Sequence, residues 1–166
     1  MTSAIVFNAL QDALKTVEPE FRPGLERLIA QVDAEDLAER EPRDVVGAAL
    51  SMRKLASRRA EGETLVSVFT PTLREDGWTS RRTIMNICTA DMPFLVDSVA
   101  AAVARAGLTV HLLMHPVVSV SRDEDGSLLQ VNAPGGELES LIHLEIDLVP
   151  TEEGRIELEE RLQKVL

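Results

Sequence analysis

Tyrosine is absent from this chain of 166 residues, tryptophan and cysteine each occur once, and phenylalanine occurs four times. The single thiol, Cys88, excludes an intrachain disulfide framework and fits a reducing compartment. So few aromatics leave little on which nucleic-acid bases could stack, and the core must be aliphatic and Ala-rich. Positive charge is also in deficit. The chain has 17 Lys and Arg against 28 Asp and Glu, a formal net charge of −11, which argues against nucleic acid or an acidic membrane surface as partner. No apolar run approaches the ~20 residues that cross a bilayer as a helix. Ala4-Ile5-Val6-Phe7 has no preceding Lys or Arg and is soon broken by Asn8 and Gln11-Asp12, so no export signal is expected and a cytoplasmic location is. What is present, 45% hydrophobic residues, suffices for one cored domain, alone or with an appended element.

The first part of the chain has helical apolar spacing. Ser3 to Val17, Arg22 to Val32 and Asp44 to Ala60 are predicted helices, punctuated by Pro19, Pro23 and Pro42. In the third, Val45, Val46, Ala49, Met52, Leu55 and Ala56 form the apolar face. Arg53, Lys54, Arg58 and Arg59 fall mostly outside it and are expected on a solvated face, with an acidic partner surface as the alternative. The arm ends near Glu61-Gly62. Leu65 to Phe69 is a predicted strand, followed by a polar loop through Asp76-Gly77 to Arg82.

From Thr83 the order becomes strand, helix, strand, strand, helix. Thr83 to Thr89 is an apolar strand, and Leu95, Val99, Ala102, Val103 and Ala106 mark one face of a helix that Gly107 ends. Val110, Leu112 and Met114 alternate with His111, Leu113 and His115, and the alternation resumes beyond Pro116, whose place implies an edge or a bulge. Turns are expected at Asp125-Gly126 and Pro134-Gly135-Gly136. Ile142, Leu144, Ile146 and Leu148 alternate with His143, Glu145 and Asp147, so one sheet face should be buried and the other polar. Thr151 can cap a last helix with Ile156, Leu158, Leu162 and Val165 on its apolar side. Two helices on one face of an antiparallel sheet describe an α+β, ferredoxin-like arrangement that lacks its last strand. A helical N-terminal segment, 1–62, thus precedes an α+β domain, 63–166, truncated at its C-terminus. The missing strand would leave Thr83 to Thr89 with an open edge, for which Leu65 to Phe69 is a local cover.

Catalytic constellations are not found in this pattern. No Gly-x-Gly-x-x-Gly follows a strand and no phosphate loop occurs, so neither catalytic nor cofactor-binding residues are assigned. Cys88, inside a predicted strand, is expected to be a buried structural thiol. His111, His115 and His143 lie on nominally polar strand positions. Four residues of strand span roughly 13 Å, so His111 and His115 cannot share an ion without a sharp bend, and packed or hydrogen-bonded histidines are the expectation. No metal ligand is assigned.

Asp91-Met92-Pro93-Phe94-Leu95 joins the first strand of this unit to its helix. Asp91 is placed to cap the helix and Pro93 to sit in its first turn. Free amides and a positive dipole end at such a junction suit a carboxylate ligand, although an ordinary capped helix is the commoner reading.

Four segments carry a resemblance: Glu35 to Arg40 (EDLAER), Pro71 to Trp78 (PTLREDGW), Asp91 to Val99 (DMPFLVDSV) and Gly107 to Pro116 (GLTVHLLMHP). In content and order they resemble the N-terminal region of the large bacterial NAD-specific glutamate dehydrogenases, over about Pro19 to the end. The resemblance implies an ACT-type regulatory domain. It also implies a parent enzyme that uses NAD to deaminate L-glutamate oxidatively to 2-oxoglutarate, with catalysis outside these residues. An amino-acid effector would meet Asp91 through its ammonium and the backbone near Met92, Phe94 and Leu95 through its carboxylate. Assembly of a homo-oligomer without any ligand is slightly preferred, since Pro93 removes one amide donor. A stand-alone ACT-type amino-acid sensor is the remaining alternative.

Overall fold

A computed structural model describes residues 2–19, 22–30 and 32–166. The helical arm comprises α1 (Thr2–Leu14), α2 (Arg22–Ile29), α3 (Ala34–Ala38) and α4 (Pro42–Ala56). Residue 31, near the end of the second predicted helix, lies outside the described residues. After the arm come β1 (Leu65–Phe69), β2 (Thr83–Ala90), α5 (Leu95–Arg105), β3 (Val110–Met114), β4 (Val117–Arg122), β5 (Leu128–Val131), β6 (Glu137–Ile146) and α6 (Glu152–Gln163). The short helix α3 and the strand β5 have no counterpart in the pattern reading, and β6 starts at Glu137 rather than Ile142.

All strands join one antiparallel sheet in the order β1-β2-β6-β4-β5, with β3 also on β6. β3 and β4 are successive stretches of one strand along β6, with Val110 opposite Ile146 and Val120 opposite Glu137. Pro116 falls at the break, where its carbonyl still accepts from the Leu141 amide at 2.9 Å. The sequence β2-α5-β3/β4-β6-α6 is therefore the βαββα core of a ferredoxin-like sandwich. The flank expected to stand open along β2 is closed, because β1 pairs with it from Leu65 opposite Cys88 to Phe69 opposite Ile84. Its own outer side is partly blunted by Glu159, whose carboxylate accepts from the Val68 amide at 3.1 Å.

On one sheet face α5 and α6 bury the main core, where Val99, Val103, Met85, Ile87, Ile142, Leu144 and Leu162 are fully enclosed. The helix phase of α5 is as expected. In α6 only Leu158 and Leu162 are buried, while Ile156 is exposed, because the helix meets the sheet on a narrow stripe, and Val165 is exposed beyond the end of the helix. Thr151 caps it, its hydroxyl accepting from the Gly154 amide at 3.2 Å.

The opposite face departs from expectation. It carries the polar residues of β2 and β6, yet it is covered by α4, so Asn86, Glu139 and His143 are buried. Met52 and Ala56 of α4 reach Cys88 and Leu141, and Ala48 meets Trp78 and Ile84. Gly47 is required here: a Cβ would collide with the Trp78 ring. The alternation in β3 is broken by a bulge between Val110 and Leu112. Val110 and Leu113 consequently pack on the main core, whereas Leu112 and Met114 face the α4 side.

Candidate regulatory site

The strand-to-helix turn differs from the predicted cap. The helix starts later, at Leu95, and Phe94 precedes it in a left-handed conformation (φ 66°) without any side-chain cap. Pro93 therefore lies before the first turn. Asp91 stays in register with the sheet, its amide donating to the Leu138 carbonyl at 2.9 Å. Its carboxylate accepts from the Ser140 hydroxyl at 2.7 Å, and that hydroxyl in turn accepts from His115 Nε2 at 2.9 Å. This His-Ser-Asp chain holds the turn against β6. The hydroxyl donates its hydrogen bond to the carboxylate and accepts one from the imidazole, so the chain is not a nucleophile and its base. Leu95 is buried in the main core, whereas Met92 and Phe94 are exposed, Phe94 at 76%. Leu138 and Val117 extend the α5 side of the sheet past the start of the helix and are exposed as well. Together these four side chains form an apolar rim around Asp91.

The other histidines are also hydrogen-bonded. His111 Nε2 lies 2.7 Å from Asp147 Oδ1, a contact that holds the Asp147 carboxyl below its usual range. His143 Nδ1 lies 2.7 Å from Asn86 Oδ1. Among the described residues no group of three or more His, Cys, Asp and Glu is placed to hold a metal.

Two ion clusters fasten the arm to the sheet. Arg40, the last residue of the EDLAER segment, grips Glu145 of β6 through both carboxylate oxygens at 2.6 and 3.0 Å. This hydrogen-bonded pairing raises the Arg40 pKa above its ordinary value. Arg59, just past α4, is buried and donates to Glu139 with Arg122 on the same carboxylate, at 2.8 to 2.9 Å. The solvated position expected for Arg59 is thus wrong, because Glu139 calls its charge inward. Burial would raise the Glu139 carboxyl, but the guanidinium bonds from Arg122 and Arg59 outweigh it and hold it low. Arg122 also donates to the Ala56 carbonyl at 2.8 Å, satisfying the end of α4. Gly126 (φ +81°) lets the β4–β5 turn reach the Arg59 backbone, where a Cβ would collide. Cys88 lies against Glu139, and burial first, then that negative charge, pushes its thiol up to about 12. It is a structural thiol.

A domain of this architecture, with exposed apolar side chains at its strand-to-helix turn, is an ACT-type α+β module. The chain belongs to the family described as the glutamate dehydrogenase ACT1 domain, whose model matches residues 24–162. It is 37% identical over 142 residues to an NAD-specific glutamate dehydrogenase of Halomonas elongata, covering 82% of this chain and 9% of that protein. To the NAD-specific glutamate dehydrogenase of Pseudomonas aeruginosa it is 34% identical over 127 residues, covering 74% of this chain and 8% of that protein. The chain therefore spans only about a tenth of the length of these relatives. The family's match begins within α2, so it takes in α4 together with the sheet. No helix among the described residues is long and apolar enough to cross a membrane.

Proposed function

We propose that this chain is the N-terminal regulatory and assembly domain of a large NAD-specific glutamate dehydrogenase of the cytoplasm. The parent would convert L-glutamate, NAD⁺ and water to 2-oxoglutarate, ammonium and NADH, with NAD and catalysis held by the rest of the polypeptide. The carrying observation is the family match together with the exposed rim of Met92, Phe94, Val117 and Leu138. Such a rim on one end of a domain suits a second copy of the same surface, giving a homo-oligomer.

Amino-acid binding at the same turn is the second reading, supported by an uncapped helix start whose first amides have no side-chain acceptor. Asp91 would take the ammonium with its second oxygen, and the backbone from Met92 through Phe94 to Leu95 would face the carboxylate. Asp97 in the first turn opposes that carboxylate, which places assembly first. Calorimetry with glutamate, aspartate and arginine separates the two. Saturable heat lost in Asp91→Asn establishes an effector site, and its absence leaves assembly as the role. NADH formation by the purified chain from glutamate and NAD⁺ would overturn the non-catalytic reading.

A further inference from the structure

Between the helical arm and the polar face of the sheet lies a cleft of about 610 Å³, within the range of small-molecule sites. Leu112, Met114 and His143 line it from the sheet, Val45 and Ala48 from α4, and Trp78 from the loop before β2. Its rim carries both Arg81 and Arg82 and the acidic Glu39, Glu41 and Asp44, so neither sign of charge is selected there.

The inner end is more specific, because a chain of hydrogen bonds fixes its polarity. The Ser51 hydroxyl donates to the Ala48 carbonyl at 2.7 Å, and so accepts from Asn86 Nδ2 at 2.9 Å. Asn86 Oδ1 is then the atom facing His143 Nδ1 at 2.7 Å, which must carry the ring hydrogen. His143 Nε2 remains as a bare acceptor on the opposite edge of the ring. It is buried and has no hydrogen-bond partner among the described residues, on a side chain only 2% exposed that lines the cleft. An ammonium would find no free carboxylate beside it, since Glu145 is held by Arg40.

We propose that this cleft binds a small molecule with an apolar body and an uncharged N–H or O–H group that donates to His143 Nε2. The site is distinct from the strand-to-helix turn, which lies toward α5, and it stands whether or not that turn binds an amino acid. Its walls of Leu112, Met114, Val45, Ala48 and Trp78 supply the apolar contact. The single acceptor supplies selectivity, because a ligand that cannot donate leaves it unpaired.

Indole and 1-methylindole test this as a matched pair with and without the donor, by titration calorimetry on the whole chain. Indole should bind at least about tenfold more tightly, the size of one buried hydrogen bond left unmade. In protein labelled with ¹⁵N-histidine, the Nε2 resonance of His143 should be that of an unprotonated nitrogen and should move with indole alone. Equal affinities, no saturable binding of indole, or an unmoved Nε2 resonance would each overturn the proposal.

Discussion

Removing the charge of Glu139 should unlatch the helical arm from the sheet. The carboxylate is 1% exposed and takes hydrogen bonds from both Arg59 and Arg122. Glu139→Gln keeps its size but leaves two guanidiniums facing one another with a single amide oxygen between them. Breaking a buried ion pair by losing one partner costs about 3–5 kcal/mol, and because the amide oxygen still accepts, the lower end, about 3 kcal/mol, applies here. For a chain of this length that is a fall in Tm of about 6–12 °C. Circular dichroism melting measures it, with Asp12→Asn as the control. Asp12 pairs with Lys15 where both side chains are more than 70% exposed, so its loss should move the melt by almost nothing. If Glu139→Gln melts within about 2 °C of the parent, the two guanidiniums have another outlet for their charge and the latch is not what holds α4 down.

Gly47→Ala should destabilise, although Ala is favoured over Gly by about 1 kcal/mol inside a helix, because the new methyl displaces Trp78. A red shift of the emission of this sole tryptophan, with a lower urea midpoint, checks it, and a stabilised variant would refute the contact. The pH dependence of stability should carry a histidine component. Burial first, then the Arg40 charge, lowers His143 to about 4 against the partial support of Glu145, whereas the unfolded chain binds that proton near 6.5. Unfolding thus takes up a proton between these values, so stability is full above pH 6.5 and declines as pH falls through the window, by about 3 kcal/mol in all. Urea unfolding from pH 7 to 5 should show this slope in the parent and lose it in His143→Gln; an unchanged slope would refute the assignment.

The elements whose signal is local were legible in the sequence. The strand at Leu65 to Phe69, the apolar face of α5 and the Thr151 cap follow from period-two alternation, helical spacing and cap chemistry, and the structure places them so. Features decided by distant partners were not. Arg59 looks like one more basic helix residue until Glu139, 80 positions away, takes its charge. The polar face of β6 looks like a solvent face until α4 lies on it, and the apolar stripe of α4 does not say which surface it will cover. At the turn, Asp91 has the chemistry of a cap. Pro93 and the left-handed Phe94 delay the helix, and the carboxylate is instead engaged by Ser140 across the sheet.

The solution mass of the chain, measured by size-exclusion chromatography with light scattering beside Phe94→Asp, bears most directly on the proposed assembly role. Phe94 is 76% exposed and its side chain caps nothing, so its replacement should leave the fold, read as the far-UV circular dichroism spectrum, unchanged. The parent should run as a dimer or larger species, and Phe94→Asp, with a charge on the apolar rim, as a monomer. A parent that stays monomeric at every concentration, or a variant that associates as the parent does, would contradict the assignment of this rim to assembly.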